Sequence, residues 1–226
     1  MSNIALSWGD FLAPLWLSVK IAGTASLLVF ILGTGAAYWM RQYRFAGKTV
    51  VETLFMLPLV LPPTVIGFVL LIVFGRKSVI GRITEWLWQQ PIVFTWGAGV
   101  LAAVVVAFPL VYQTAKSGFA SVDPSLEEAA RSMGGSEFQV LRWITLPLSS
   151  HFLMTGYILG FARALGEFGA TIMIAGNIPH RTQTAPTAIY SAVDAGEYGY
   201  AWSWTAAVLL FSFALLWIAN RQGRVD

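Results

Sequence analysis

The sequence predicts an all-α, polytopic membrane protein with about five transmembrane helices, and three observations carry this expectation. Apolar residues make up 57% of the chain and charged residues only 11%, less than half the charged share of an ordinary soluble domain. Uncharged runs at 21–40, 53–75, 86–115, 143–162 and 198–220 match or exceed the roughly 20 residues that cross a bilayer as a helix. Lys and Arg are divided unevenly between the connections: Arg41, Arg44, Lys48, Lys116, Arg131, Arg142, Arg221 and Arg224 fall in one alternating set, against Arg76, Lys77, Arg82 and Arg181, with Lys20 near the first run, in the other. Lipid offers a backbone no hydrogen-bond partners, so spanning segments must be helical. The richer basic set marks the cytoplasmic side. The expected arrangement is one membrane-embedded domain, 1–226, with the N-terminus outside and the C-terminus cytoplasmic.

The net charge is +3 and the pI about 9.3. In a membrane protein such an excess belongs to cytoplasmic loops and gives no reason to expect nucleic-acid contact. The chain has no cysteine, which excludes a Cys-based metal site. The opening MSNIALSWGD lacks a basic n-region and a small-residue cleavage site, so no cleavable signal peptide is expected.

The first run, 21–40, is an uninterrupted span. The second contains LPLVLPPTVIGF, in which Pro58, Pro62 and Pro63 each remove a backbone donor. In lipid such a break is tolerated where neighbouring helices or a wet cavity satisfy the freed groups. Pro58, Pro62 and Pro63 therefore mark a kink, either static or part of a helix that bends along a translocation path. The third run is overlong; Trp86 to Pro91 reads as interfacial and the span begins near Ile92. The fourth continues past Arg163 and Glu167 into FGATIMIAG and is read as one long helix, about 148–175. The fifth, 198–220, is the last span.

Along the fourth span Gly156, Gly160, Arg163, Glu167, Ala170 and Ile174 alternate in three- and four-residue steps, which places them on one helix face. Gly156 and Gly160 permit close helix approach. Arg163 and Glu167 stand one turn apart and can pair. Charges within a span face a partner or a water-filled cavity rather than lipid. The pair is either a self-neutralising lock or part of a pathway.

The connection 116–147, KSGFASVDPSLEEAARSMGGSEFQVLRWITLP, is the longest on the basic side. Asp123 and Pro124 form an N-cap and first-turn pair, and Glu127 to Arg131 favour helix with charges suited to its dipole. Gly134 and Gly135 can adopt the left-handed conformation that closes a helix. Ser136 with Gln139 forms a capping box for a second helix, and Pro147 opens the next span. The loop thus encodes helix, Gly-Gly corner, helix.

Glu128-Ala129-Ala130, then Gly134 after three residues, Ile144 after nine more, and Leu146-Pro147 after one resemble the signature loop of bacterial ABC importer permeases at every fixed position. The resemblance implies that this loop carries a short helix docking into a groove on an ATP-binding subunit, coupling ATPase closure to movement of the spans. Stretches 57–76 and 162–190 are similar to the molybdate importer permeases, and sulfate permeases are similar in the same regions. The family would supply a homodimer of permeases, two ATP-binding subunits holding ATP and Mg, and an extracytoplasmic molybdate-binding protein facing the polar loop 176–198. His180 and Arg181 would meet that protein or the passing anion, or stay solvated. Arg163 would guide an oxyanion and Glu167 temper its affinity, with Gly166, Gly169 and Thr171 beside them at a pathway or gate; a pore must not hold its ion tightly.

Three function classes are weighed. The first is an importer permease for molybdate, with sulfate or tungstate as alternatives. The second, an intramembrane enzyme, would draw on His151 and His180, the only histidines, with Ser149 and Ser150 beside His151; there is no HExxH and no intramembrane Asp pair. The third, a passive channel, has no use for the signature loop. The chain lacks a Walker A sequence, so ATP and its Mg must be held by a partner, and no cofactor is expected in this chain. Five spans on one side of a pathway are most simply closed by a two-fold copy.

Overall fold

The computed structural model describes residues 8–222, with side chains through 217; the expectations placed on the N-terminal stretch and on the side chains of Arg221 and Arg224 lie outside these. The centre is built from three helices: α1 (Trp8–Gln42), α5 (Trp96–Ala120) and α9 (Ser150–Leu165), each packed on the other two. α1 buries Ala22, Ala25, Val29, Gly33 and Ala37 at steps of three or four, and α5 answers with Ala98, Ala102, Ala103, Ala107, Val111 and Ala115. Small residues prevail because lipid supplies no hydrophobic drive between helices, so close backbone approach must hold them. The Gly156–Gly160 pair acts in this way: a Cβ at Gly160 would stand 2.7 Å from Val111 Cγ2, and one at Gly156 3.3 Å from Thr114 Cβ. α1 begins well before Ile21, so Lys20 lies inside it, its Nζ 4.1 Å above the Trp96 ring.

The second span is broken rather than merely bent. α2 (Lys48–Val60) meets α3 (Pro63–Phe74) at 115°. Leu61, ahead of Pro62, is extended (φ −71°, ψ 141°), as a residue preceding proline prefers. Pro62 precedes the first turn and Pro63 stands within it. Pro58 lies inside α2 without ending it, so Pro62 and Pro63 make the break. Ahead of the third span lies a separate helix, α4 (Val79–Trp88), started by Ser78, whose Oγ accepts from Gly81 N at 2.7 Å; of the stretch read as interfacial, Trp86 to Trp88 end this helix and Gln89 to Pro91 follow it outside any helix. The third span therefore starts at Trp96, after Thr95 caps it.

The expected single helix over 148–175 is not formed. α6 (Pro124–Ser132) is followed by a helical rod, Glu137–Leu148, made of α7 (Glu137–Val140), a wider π-helical turn (Leu141–Thr145) and α8 (Leu146–Leu148). The rod meets α9 at 73°. α9 stops at Leu165, and after Gly166, Glu167 and Phe168 a short α10 (Gly169–Ile174) begins. Gly166 ends α9, and the Glu167 carboxylate turns to accept the Ala170 N–H at 2.8 Å. α10 packs on α3, where a Cβ at Gly67 would lie 2.8 Å from Ala170 Cα. α10, the short helix after α9, thus pairs with the second half of the broken second span.

The loop 176–198 is also more ordered than its composition suggests. It contains α11 (Ala185–Asp194), which buries Ala185, Thr187, Ala188 and Ala192, and Ser18 Oγ of α1 accepts the Ala185 N–H at 2.8 Å. α12 (Tyr198–Gln222) packs against α11 and, through Trp204, on Phe11. Among the described residues, three helices, α1, α5 and α12, are long and apolar enough to cross a membrane, and there are up to five spans if each bent pair counts as one.

Candidate functional site

The 35 residues of α1 span about 50 Å at 1.5 Å per residue and mark the two ends of the molecule. At its C-terminal end lies the predicted loop. Asp123 Oδ1 accepts the Ser125 N–H at 2.9 Å, and that backbone hydrogen bond holds the Asp123 carboxyl below its ordinary range. α6 closes with the Gly134 N–H on Arg131 O and the Gly135 N–H on Ala130 O, both at 3.0 Å, with Gly134 at φ +88°. This paired pattern is a Schellman closure. Ser136 and Gln139 form the expected capping box. Sequence-local rules therefore built this corner as read.

Of the residues matched to the signature, Glu128, Ala129, Gly134 and Pro147 are exposed, while Ala130, Ile144 and Leu146 are half-buried. Ala130, Gly134 and Ile144 line one shallow cleft of about 350 Å³ with Met133, Gly135 and Trp143. Met133 is 89% exposed, and Phe138 and Trp143 are exposed beside it. These side chains leave an apolar face exposed at this end, of the kind that a protein or membrane contact covers.

Sequence reading missed Glu127. It is 6% exposed and forms a two-pronged ion pair with Arg41 in the last turn of α1: Nη1 to Oε1 and Nη2 to Oε2, both 2.9 Å. Thr145 Oγ1 donates to Oε1 at 2.7 Å. Arg131 bridges outward to Glu137, Nε to Oε1, at 2.7 Å. The one local signal was the Glu127–Arg131 spacing; Arg41, 86 positions away, gave none.

Around the two broken spans, Arg163 Nη1 reaches Glu167 Oε2 at 2.7 Å, with Glu167 nearly buried and Arg163 30% exposed. The expected pair thus forms, but across the end of α9. The six residues placed on one helix face do not share a continuous helix: Gly156, Gly160 and Arg163 stand on α9, Ala170 and Ile174 on α10. Gly166 is exposed at the break. A Cβ at Gly169 would stand 3.0 Å from Pro63 Cβ, so the Pro62–Pro63 and Gly166–Phe168 breaks adjoin. Thr171 is buried against α5, its Cγ2 3.7 Å from where a Cβ at Gly99 would lie.

At the other end of α1, His180 Nε2 stands 3.0 Å from Asp10 Oδ1. His180 and Arg181 share an open cleft of about 530 Å³ with Trp88, Gln90 and Trp96. Near the rod, the Ser149 hydroxyl donates to Thr145 O at 2.6 Å, while His151 is exposed. Ser149 is thus engaged with backbone rather than with His151.

The model of the family described as "Binding-protein-dependent transport system inner membrane component" matches residues 29–224. YvgM of Bacillus subtilis (strain 168), assigned to a molybdenum transport system as its permease, is 51% identical over 218 residues, 96% of each chain. The molybdenum transport system permease protein ModB of Escherichia coli (strain K12) is 39% identical over 92% of this chain and 95% of its own. A chain of a bacterial ABC transporter involved in the import of the acidic polysaccharide alginate superposes with a TM-score of 0.75, covering 97% of this chain and 80% of that one at 16% identity. This likeness shows the fold. Sequence and architecture agree: the chain belongs to the binding-protein-dependent transport system inner membrane components, the permease family of ABC importers.

Proposed function

We propose that this permease forms the membrane pathway for molybdate in an importer driven by ATP hydrolysis in a partner subunit. The carrying observation is the α6 corner, a capped helix with an exposed Met133–Phe138–Trp143 surface, on a chain whose two relatives above are both assigned to molybdenum transport. Glu128, Ala129, Ala130, Gly134, Ile144, Leu146 and Pro147 form the contact with the ATPase. ATP and Mg reside on that partner, and this chain contributes no cofactor and no catalytic group. The corner faces the cytoplasm because Arg41, Lys48, Lys116, Arg131 and Arg142 gather there, which puts the start of α1 outside, opposite the molybdate-binding protein. The assembly is a permease homodimer with two ATPases and one binding protein.

The pathway runs along the adjoining breaks between α2 and α3 and between α9 and α10. There Arg163 offers a cation to a tetrahedral dianion and Glu167 keeps that attraction weak enough for release. Broken helices in lipid are tolerated where they line a cavity, and both breaks converge on Gly169 and Pro63. Molybdate is favoured over sulfate and tungstate by the relatives' assignments, not by pore chemistry, since the three dianions share shape and charge.

The deciding experiment is ATP-driven uptake of labelled molybdate into vesicles holding the full complex, with sulfate and tungstate as competitors. Molybdate uptake that stops with Glu128→Lys, through loss of the ATPase from the purified complex, is expected. Sulfate uptake without molybdate uptake would refute the cargo; full transport by Glu128→Lys would refute the ATPase contact.

A further inference from the structure

Glu127 is the one residue of α6 that the fold buries. A surface helix is ordinarily held by an apolar stripe packed on its neighbours. α6 has instead a single inward carboxylate, while Leu126, Glu128, Ala129, Arg131 and Ser132 stay exposed. That carboxylate holds two other elements. Arg41 binds it with both Nη atoms from the last turn of α1, and Thr145 Oγ1 binds it from the rod Glu137–Leu148. α1 packs along α5 and α9, and the rod runs into α9. The contacts of Glu127 therefore lead directly into the central bundle.

We infer that Glu127 is the positioning residue that turns a displacement of α6 into movement of α1 and α9. A bidentate, charge-assisted pair is fixed in both distance and angle. It transmits a push that the short connections on either side of α6, 121–123 and 133–136, would otherwise absorb. Adjacent residues divide the labour: Glu128 stands on the outer face toward the ATPase, and Glu127 ties the inner face to the spans. Thr145 belongs to the same clasp, and its place in a π-helical turn sets its hydroxyl 2.7 Å from the carboxylate. The inference rests on α6 being the ATPase contact.

The test uses the complete complex in liposomes and measures molybdate taken up per ATP hydrolysed. Glu127→Gln should assemble and hydrolyse ATP, yet its uptake per ATP should fall about tenfold, the scale of one lost charge-assisted hydrogen bond. Thr145→Val removes the hydroxyl at nearly constant volume and should also lower the ratio about tenfold, because that hydroxyl donates to the same charged carboxylate, while Thr145→Ser retains the wild-type ratio. A purely structural role would lower assembly in step with transport and leave the ratio unchanged. Wild-type uptake per ATP in Glu127→Gln overturns the inference. If that variant fails to assemble, equal ratios for Thr145→Val and Thr145→Ser overturn it instead. The underlying contact is judged separately: with Glu128→Lys transporting normally, the ATPase reading itself falls, whereas lost transport in Glu128→Lys beside an intact ratio in Glu127→Gln removes only the clasp.

Discussion

Gly134 shows how one backbone angle sets a functional surface. At φ +88° it occupies a region costly to residues with a Cβ, by about 1–2 kcal/mol. A Cβ there would meet no atom within 4 Å, so any penalty is conformational rather than steric. Gly134→Val should therefore leave the spans inserted but redirect the chain after α6, opening the Schellman closure. Membrane levels near wild type with transport lost are expected, measured by immunoblot and molybdate uptake in the same vesicles. Gly134→Asn should keep most transport, because asparagine tolerates the left-handed region. Equal, full transport by Val and Asn variants would mean that the corner's angle is immaterial.

At the scale of elements, the break between α2 and α3 and the break between α9 and α10 depend on each other. α3 begins at Pro63 and α10 at Gly169, and the two helices pack through Gly67 and Ala170. Glu167 links the segments of the second break, since one oxygen holds Arg163 of α9 and the other holds the first turn of α10. If the pair is only a lock, removing Arg163 strands the buried Glu167 carboxylate at a cost of about 3–5 kcal/mol, and removing Glu167 leaves the partly exposed Arg163 unpaired at a smaller cost. Arg163→Met and Glu167→Gln would then both lower the yield of complex, with partial recovery in the double variant. The pathway reading expects Arg163→Met to assemble and to transport slowly, with Arg163→Glu slower still. Uptake equal to wild type in Arg163→Met, at equal complex levels, would remove any role for Arg163 in guiding the anion.

For the whole molecule, orientation is the open quantity and the cysteine-free sequence makes it measurable. Lys77, Ser132 and Ala195 are exposed, whereas Thr182 in the loop 176–198 is fully buried and would not report. Single cysteines at Lys77 and Ala195 should react with a membrane-impermeant maleimide in intact cells, and one at Ser132 only after lysis. Labelling of Ser132 in intact cells would invert the topology and place α6 beyond reach of an ATPase.

The sequence by itself determined the features that depend on near neighbours. Apolar runs located the spans, Asp123-Pro124 and Ser136–Gln139 started their helices, Gly134-Gly135 closed α6, and the Arg163–Glu167 spacing formed its pair. Caps, turns and one-turn pairs are settled within a few residues, so a linear reading can find them. Tertiary structure decided the rest. An unbroken apolar run does not say that a span stops at Gly166, because the stop depends on Glu167 being drawn onto Ala170 while α10 seats against α3. A polar, Pro- and Gly-bearing loop does not say that α11 buries one face, because Ser18 of a distant helix supplies the partner for its first free N–H. Two adjacent glutamates look alike in the sequence. Only the fold, by bringing Arg41 and Thr145 to the inner side of α6, buries Glu127 in a clasp and leaves Glu128 exposed.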